Sequence, residues 1–172
     1  MNGYDLLINQ NQNLGFLGVA IAIVTNNKDP DNLGRIKIEF PWLSDKDESP
    51  WARILTPMAG NDRGMYFLPE INDEVLVAFE HGNMNVPYIL GALWNGKDKP
   101  PAQNDDGRNN KKMIKSRSGH QIILDDTRDK EQVIIQDKTG NNQILIDSQE
   151  NKMNIKVEKD FTLSLIHISE PT

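Results

Sequence analysis

The chain has 172 residues, a net charge of −6, a pI near 5.0, no cysteine, 12 glycines and 9 prolines. That length suits one or two domains with a real core, and the acidic balance lacks the electrostatic footprint of a nucleic-acid binder. Without cysteine there is no disulfide framework and no thiolate metal site. No stretch approaches the ~18 apolar residues of a membrane-spanning helix, and MNGYDLLINQNQ carries no signal-peptide pattern.

Residues 1–15 read as an N-terminal tail. Five strand candidates follow in residues 16–101. The first is Phe16–Thr25, an apolar run broken only by small residues. A turn rich in Asn, Asp and Pro leads to Gly34, after which Ile36, Ile38 and Phe40 alternate with Arg35, Lys37 and Glu39. Such period-2 alternation marks a strand with one buried face. Trp51–Thr56 is the third strand. Glu74–Glu80 is the fourth, with Val75, Val77 and Phe79 on one side, and Pro87–Leu93 is the fifth. Five short strands suit a closed barrel, which removes exposed edges; a small sandwich has the same periodicity. Ile36, Ile38, Phe40, Val75, Val77 and Phe79 are the expected barrel core.

Residues 102–113 read as a polar linker. From 114 to 162 a repeat appears: Ile122/Leu124, Val133/Ile135, Ile144/Ile146 and Ile155/Val157 recur every 11 residues. A fixed period signals an array of supersecondary units. Ile123, Ile134 and Leu145 stand between the first three pairs, so these strands are apolar on both faces and want cover on both. A lone ribbon of this length buries too little to offset the entropy of ordering it. Three chains around one axis would cover it; a monomeric meander packed on the barrel is the competing arrangement.

Leu163–Thr172 (LSLIHISEPT) resembles translated sequencing-adapter DNA and is read as non-native, although Ile166 and Ile168 continue the 11-residue period.

The blocks TNNKDPDNLGRIKIEFPWL, WARILTPMAGNDRGMYFLPE, NDEVLVAFEHGN and PYILGALWNG, in this order, resemble the OB-fold spike domain of phage baseplate assembly protein V and of VgrG. The resemblance covers roughly Gly18 to Pro101. It implies an all-β protein: a five-stranded OB-fold barrel followed by the start of a trimeric β-helical (β-prism) needle. It also implies a structural spike of a contractile injection system, whether a phage tail, an extracellular injector or type VI secretion. The implied partners are a homotrimer of the chain, a baseplate hub protein, a tube protein and a PAAR-like tip protein. Synthesis in the cytoplasm, assembly into an injection particle and no stable membrane insertion before firing also follow from it. The short segment before the barrel favours the standalone baseplate form over one with an upstream hub domain. The repeat apolars would form the trimer core, and the loops Ala59–Pro69 and Leu43–Pro50 would dock a hub protein.

Nothing in the residues calls for catalysis or a cofactor. His81 and His120 lack neighbouring ligands at metal-site spacing, and Asp73/Glu74, Asp105/Asp106 and Asp125/Asp126 are adjacent acids that do not converge on one bond. Because OB-folds often bind single strands, the alternative function is a single-stranded nucleic-acid-binding protein with an oligomerising β tail. Trp42, Trp51, Tyr66, Phe67, Tyr88 and Trp94 supply stacking surfaces for it. The acidic loop SDKDE and the interleaving of Arg35 and Lys37 with Glu39 argue against phosphate binding.

Overall fold

The computed structural model describes residues 18–43 and 48–163, and they form two units, divided between Lys99 and Pro100. Both are built of β-strands. The first unit contains β1 (Val19–Asn26), β2 (Lys37–Glu39), β3 (Arg53–Ile54), β4 (Ala59–Gly60), β5 (Arg63–Gly64), β6 (Glu74–Phe79) and β7 (Pro87–Ala92). Its main sheet runs β2-β1-β6-β7-β3, antiparallel throughout except for the parallel β3–β7 pair. A bridge between Ile36 and Ala52, with N–H···O distances of 3.0 and 2.8 Å, joins β3 back to β2 and closes the ring. Ser49 extends the closure: its amide donates to the Ile38 carbonyl (2.8 Å), and its hydroxyl accepts from the Ile38 amide (3.1 Å). Five strands closed in this order form an OB-type barrel.

Alternation places one side of each strand inside. Ala20, Ala22 and Val24 of β1, Ile36, Ile38 and Phe40 around β2, Ala52, Val75, Val77 and Phe79, and Ile89 of β7 form the buried core. Three alanines keep this narrow interior filled without overpacking. The sequence segment Phe16–Thr25 emerges as β1 from Val19; Phe16 and Leu17 lie outside the described residues. The sequence reading missed the hairpin β4–β5, which interrupts the stretch between the third and fourth barrel strands.

The second unit is an antiparallel meander: β8 (Lys111–Lys115), β9 (Gln121–Asp125), β10 (Gln132–Gln136), β11 (Gln143–Asp147) and β12 (Lys152–Lys156), paired in sequence order. Strand β8 begins inside the stretch that composition marks as linker. Three of its four turns, those after β9, β10 and β11, carry Asp at the strand end. Asp137 Oδ atoms accept from the Gly140 and Asn142 amides, the Thr139 hydroxyl and the Asn142 side-chain amide. These donors, the Asn142 side chain foremost, hold the Asp137 carboxyl down at about 2. Asp125 repeats the device with Thr127 and is likewise lowered.

Candidate docking surfaces

The registers sort the meander's side chains into columns. Ile114, Ile122, Ile135, Ile144 and Ile155 pair across successive strands, giving an all-isoleucine column on one face. Beside it on the same face runs a second column of Lys112, Leu124, Val133, Ile146 and Met153. Within this one chain both columns face outward: all five isoleucines are 37–50 % exposed, as are Leu124 and Ile146, while Met153 is exposed and Val133 half-buried. The opposite face carries one central column, Met113, Ile123, Ile134, Leu145 and Asn154, half-buried on its first four strands. Columns of Gln, Asp and Lys flank it. The two faces are therefore unequal, and the broad apolar one lacks cover.

Of the eight repeat positions singled out by spacing, seven sit in these two columns. Val157 does not: it follows the end of β12, and Met153 takes the place beside Ile155. The cause is turn length. The turns 126–131 and 137–142 have six residues, whereas 148–151 has four, which slips the last strand by two positions while keeping its face. Met153 and Ile114 are thus column members that spacing alone did not single out.

The barrel offers a different surface. Around β4–β5, an open cleft of about 770 Å³ is lined by Leu33, Leu55, Met58, Met65, Tyr66 and Phe67 among others. Tyr66 is 76 % and Phe67 63 % exposed, so these aromatics are surface, not core. The hairpin is held by Met65 N donating to Met58 O (3.0 Å) and Thr56 Oγ1 donating to Met65 O (2.9 Å). Gly64 has φ +153°, and a Cβ there would sit 2.6 Å from Met58 O. Only glycine fits without moving the backbone. Of the other loop expected to dock a partner, 43–50, residues 44–47 lie outside the described residues.

The barrel wall at β2 and β3 gathers cations over Trp51: Arg35 Cζ lies 5.9 Å and Lys37 Nζ 5.5 Å from its ring centre. Single-strand binders of this fold use such a face. Here its cations are already matched. Arg35 bonds Asp29 (2.7 Å) and Asp31 (2.6 Å), and Lys37 bonds Glu48 (2.9 Å). Arg53 stacks on Tyr88 and donates to its hydroxyl, which donates to Glu80 (2.6 Å). Trp94 is 69 % and Trp42 51 % exposed, the latter's ring 5.5 Å from that of Phe40. His81 sits in a left-handed turn conformation (φ 50°), and His120 closes the β8–β9 turn, its amide donating to Ser116 Oγ.

Comparison with known proteins finds this barrel matched in a described family. Residues 20–94 match the family described as the type VI secretion system/phage-baseplate injector OB domain. The chain is similar to VgrG-type spike proteins. It is 33% identical over 75 residues to the type VI secretion system spike protein VgrG3 of Vibrio cholerae, covering 41% of this chain and 7% of that one. It is 29% identical over 105 residues to the spike protein VgrG2a of Pseudomonas aeruginosa, covering 56% and 12%. Over 75 residues it is 35% identical to the actin cross-linking toxin VgrG1 of Vibrio cholerae, covering 41% and 7%. The matched segments thus span about a tenth or less of those relatives.

Proposed function

We propose that this chain is a structural spike component of a contractile injection system, a phage tail or a type VI apparatus, acting as a homotrimer. The injector OB domain and the VgrG-type relatives support the coarser part of this reading. One observation carries the trimer: a five-stranded meander follows the barrel with an exposed isoleucine column beside a second, mostly apolar column on one face. Left in water, such a face forfeits the transfer free energy of each side chain, about 1.5–3 kcal/mol apiece when fully buried. Three copies, each turning this face to a common axis, recover it. The needle built this way transmits the force of contraction to a small area of envelope, and its work is mechanical rather than catalytic. The cleft beside β4–β5, rimmed by Tyr66 and Phe67, is the barrel's candidate contact with a hub or tube protein.

Light scattering on the protein at low salt, followed by titration of the same sample into labelled single-stranded oligonucleotides, tests the reading against its alternative. A mass of three chains with no oligonucleotide affinity is expected. A monomer whose oligonucleotide affinity falls steeply with salt would overturn it.

A further inference from the structure

Strand β7 runs out into a turn at residues 93–98, in which an asparagine is followed directly by a glycine. Asn95–Gly96 is the one Asn-Gly step among the described residues. Three features meet on it. Asn95 Oδ1 accepts from the amides of Lys97 (2.8 Å) and Asp98 (2.7 Å). Two N–H donors on one carbonyl oxygen draw electrons from Cγ and stabilise the charge that grows on Oδ1 when a nucleophile adds.

The neighbouring nucleophile is the Gly96 amide nitrogen, which makes no hydrogen bond among the described residues. Gly96 is exposed, and the place a Cβ would take is open, so no side chain stands over the nitrogen. On the other side, Asn95 Nδ2 donates to Glu74 Oε2 (3.3 Å) and Asp98 Oδ2 (3.4 Å). Both carboxylates lie beside the nitrogen that would leave, placed to carry a proton to it.

We infer that Asn95 is a self-modifying site, at which the Gly96 nitrogen closes on Asn95 Cγ to form a succinimide. The new N–Cγ bond replaces the Cγ–Nδ2 bond, the Gly96 proton passes to Nδ2 by way of a carboxylate, and ammonia leaves. Water then opens the ring at either carbonyl, giving aspartate or isoaspartate at position 95. Aspartate puts an acceptor where a donor stood, against Glu74 and Asp98; isoaspartate also inserts a methylene into the backbone. Glu74 O takes the Leu93 amide (2.8 Å), so the charge repulsion falls where β7 parts from β6.

The test holds the full chain at mildly alkaline pH beside the variants Gly96→Val and Lys97→Pro and a guanidinium-unfolded wild-type sample. Peptide mass spectrometry and isoaspartyl methyltransferase labelling read position 95. In the native wild type, the amide-to-acid mass gain and the label are expected at Asn95 ahead of every other described asparagine. Gly96→Val is expected to lose both signals, and Lys97→Pro, which removes one donor to Oδ1, to slow them. A native chain that keeps Asn95 intact while the unfolded chain converts there overturns the inference, since the fold then shields the step. A folded Lys97→Pro variant converting at the wild-type rate overturns the role given to the donor pair. Asn95→Asp, which installs one product directly, is expected to lower the melting midpoint at neutral pH; an unchanged midpoint overturns the cost assigned to that product.

Discussion

Asp29 shows how one side chain fixes a loop. It is 8 % exposed, and its carboxylate accepts from the amides of Asp31, Leu33 and Arg35 and from Arg35 Nε (2.9 Å) and Nη2 (2.7 Å). The Arg35 guanidinium, with those amides, holds the carboxyl well below the ordinary carboxylate range. A depressed folded pKa contributes stability that is complete above the unfolded value of about 4 and is lost as pH falls through the folded one. Asp137, at about 2, acts in the same direction in the meander. Asp29→Asn is therefore expected to lower the thermal midpoint at pH 7 and to reduce its fall between about pH 5 and pH 3. Melting curves across that range check this; a variant with the wild-type slope contradicts it. In the sequence, Asp29 reads only as a turn residue and Arg35 only as the polar half of an alternation. Their pairing depends on how the loop folds back, which neither pattern encodes.

Period-2 alternation identifies an element when the strand has one wet face and enough length to show it. Strand β6, with Val75, Val77 and Phe79 inside, meets both conditions, and so does the run of Ile36, Ile38 and Phe40 around β2; the first strand was legible as an apolar run instead, and the two-residue β3 shows no alternation. The hairpin β4–β5 meets neither, since Ala59–Gly60 and Arg63–Gly64 are two residues each and exposed throughout. Its only trace in the sequence is the Gly-Asn-Asp-Arg-Gly turn. Strand β8 was hidden because its Lys-rich composition matches the polar stretch before it. Which aliphatic side chains recur was legible from spacing; the substitution of Met153 for Val157 was not, because turn length decides it. The hairpin's independence from the core is testable. Gly64→Val is expected to speed protease cleavage within residues 55–68 and leave the barrel's melting midpoint near wild type. Ile38→Ala, at a fully buried position, is expected to cost about 2–5 kcal/mol by chemical denaturation. A Gly64→Val variant as unstable as Ile38→Ala would mean that the hairpin is part of the barrel's folding unit.

At the scale of the molecule, two units place their unfinished surfaces differently. The barrel closes its ring and buries its own core, leaving aromatic and aliphatic side chains exposed around one hairpin. The meander satisfies its backbone hydrogen bonds within one chain, yet leaves the isoleucine column and its neighbour uncovered. Its completion is proposed to come from further copies of itself. The most direct test substitutes two members of the isoleucine column, Ile135→Asp with Ile144→Asp, which lie opposite each other on β10 and β11. Light scattering coupled to size exclusion then compares this variant with the wild-type chain. Three chain masses for the wild type and one for the variant are predicted; a variant that keeps the wild-type oligomer would contradict the assignment of this face to assembly.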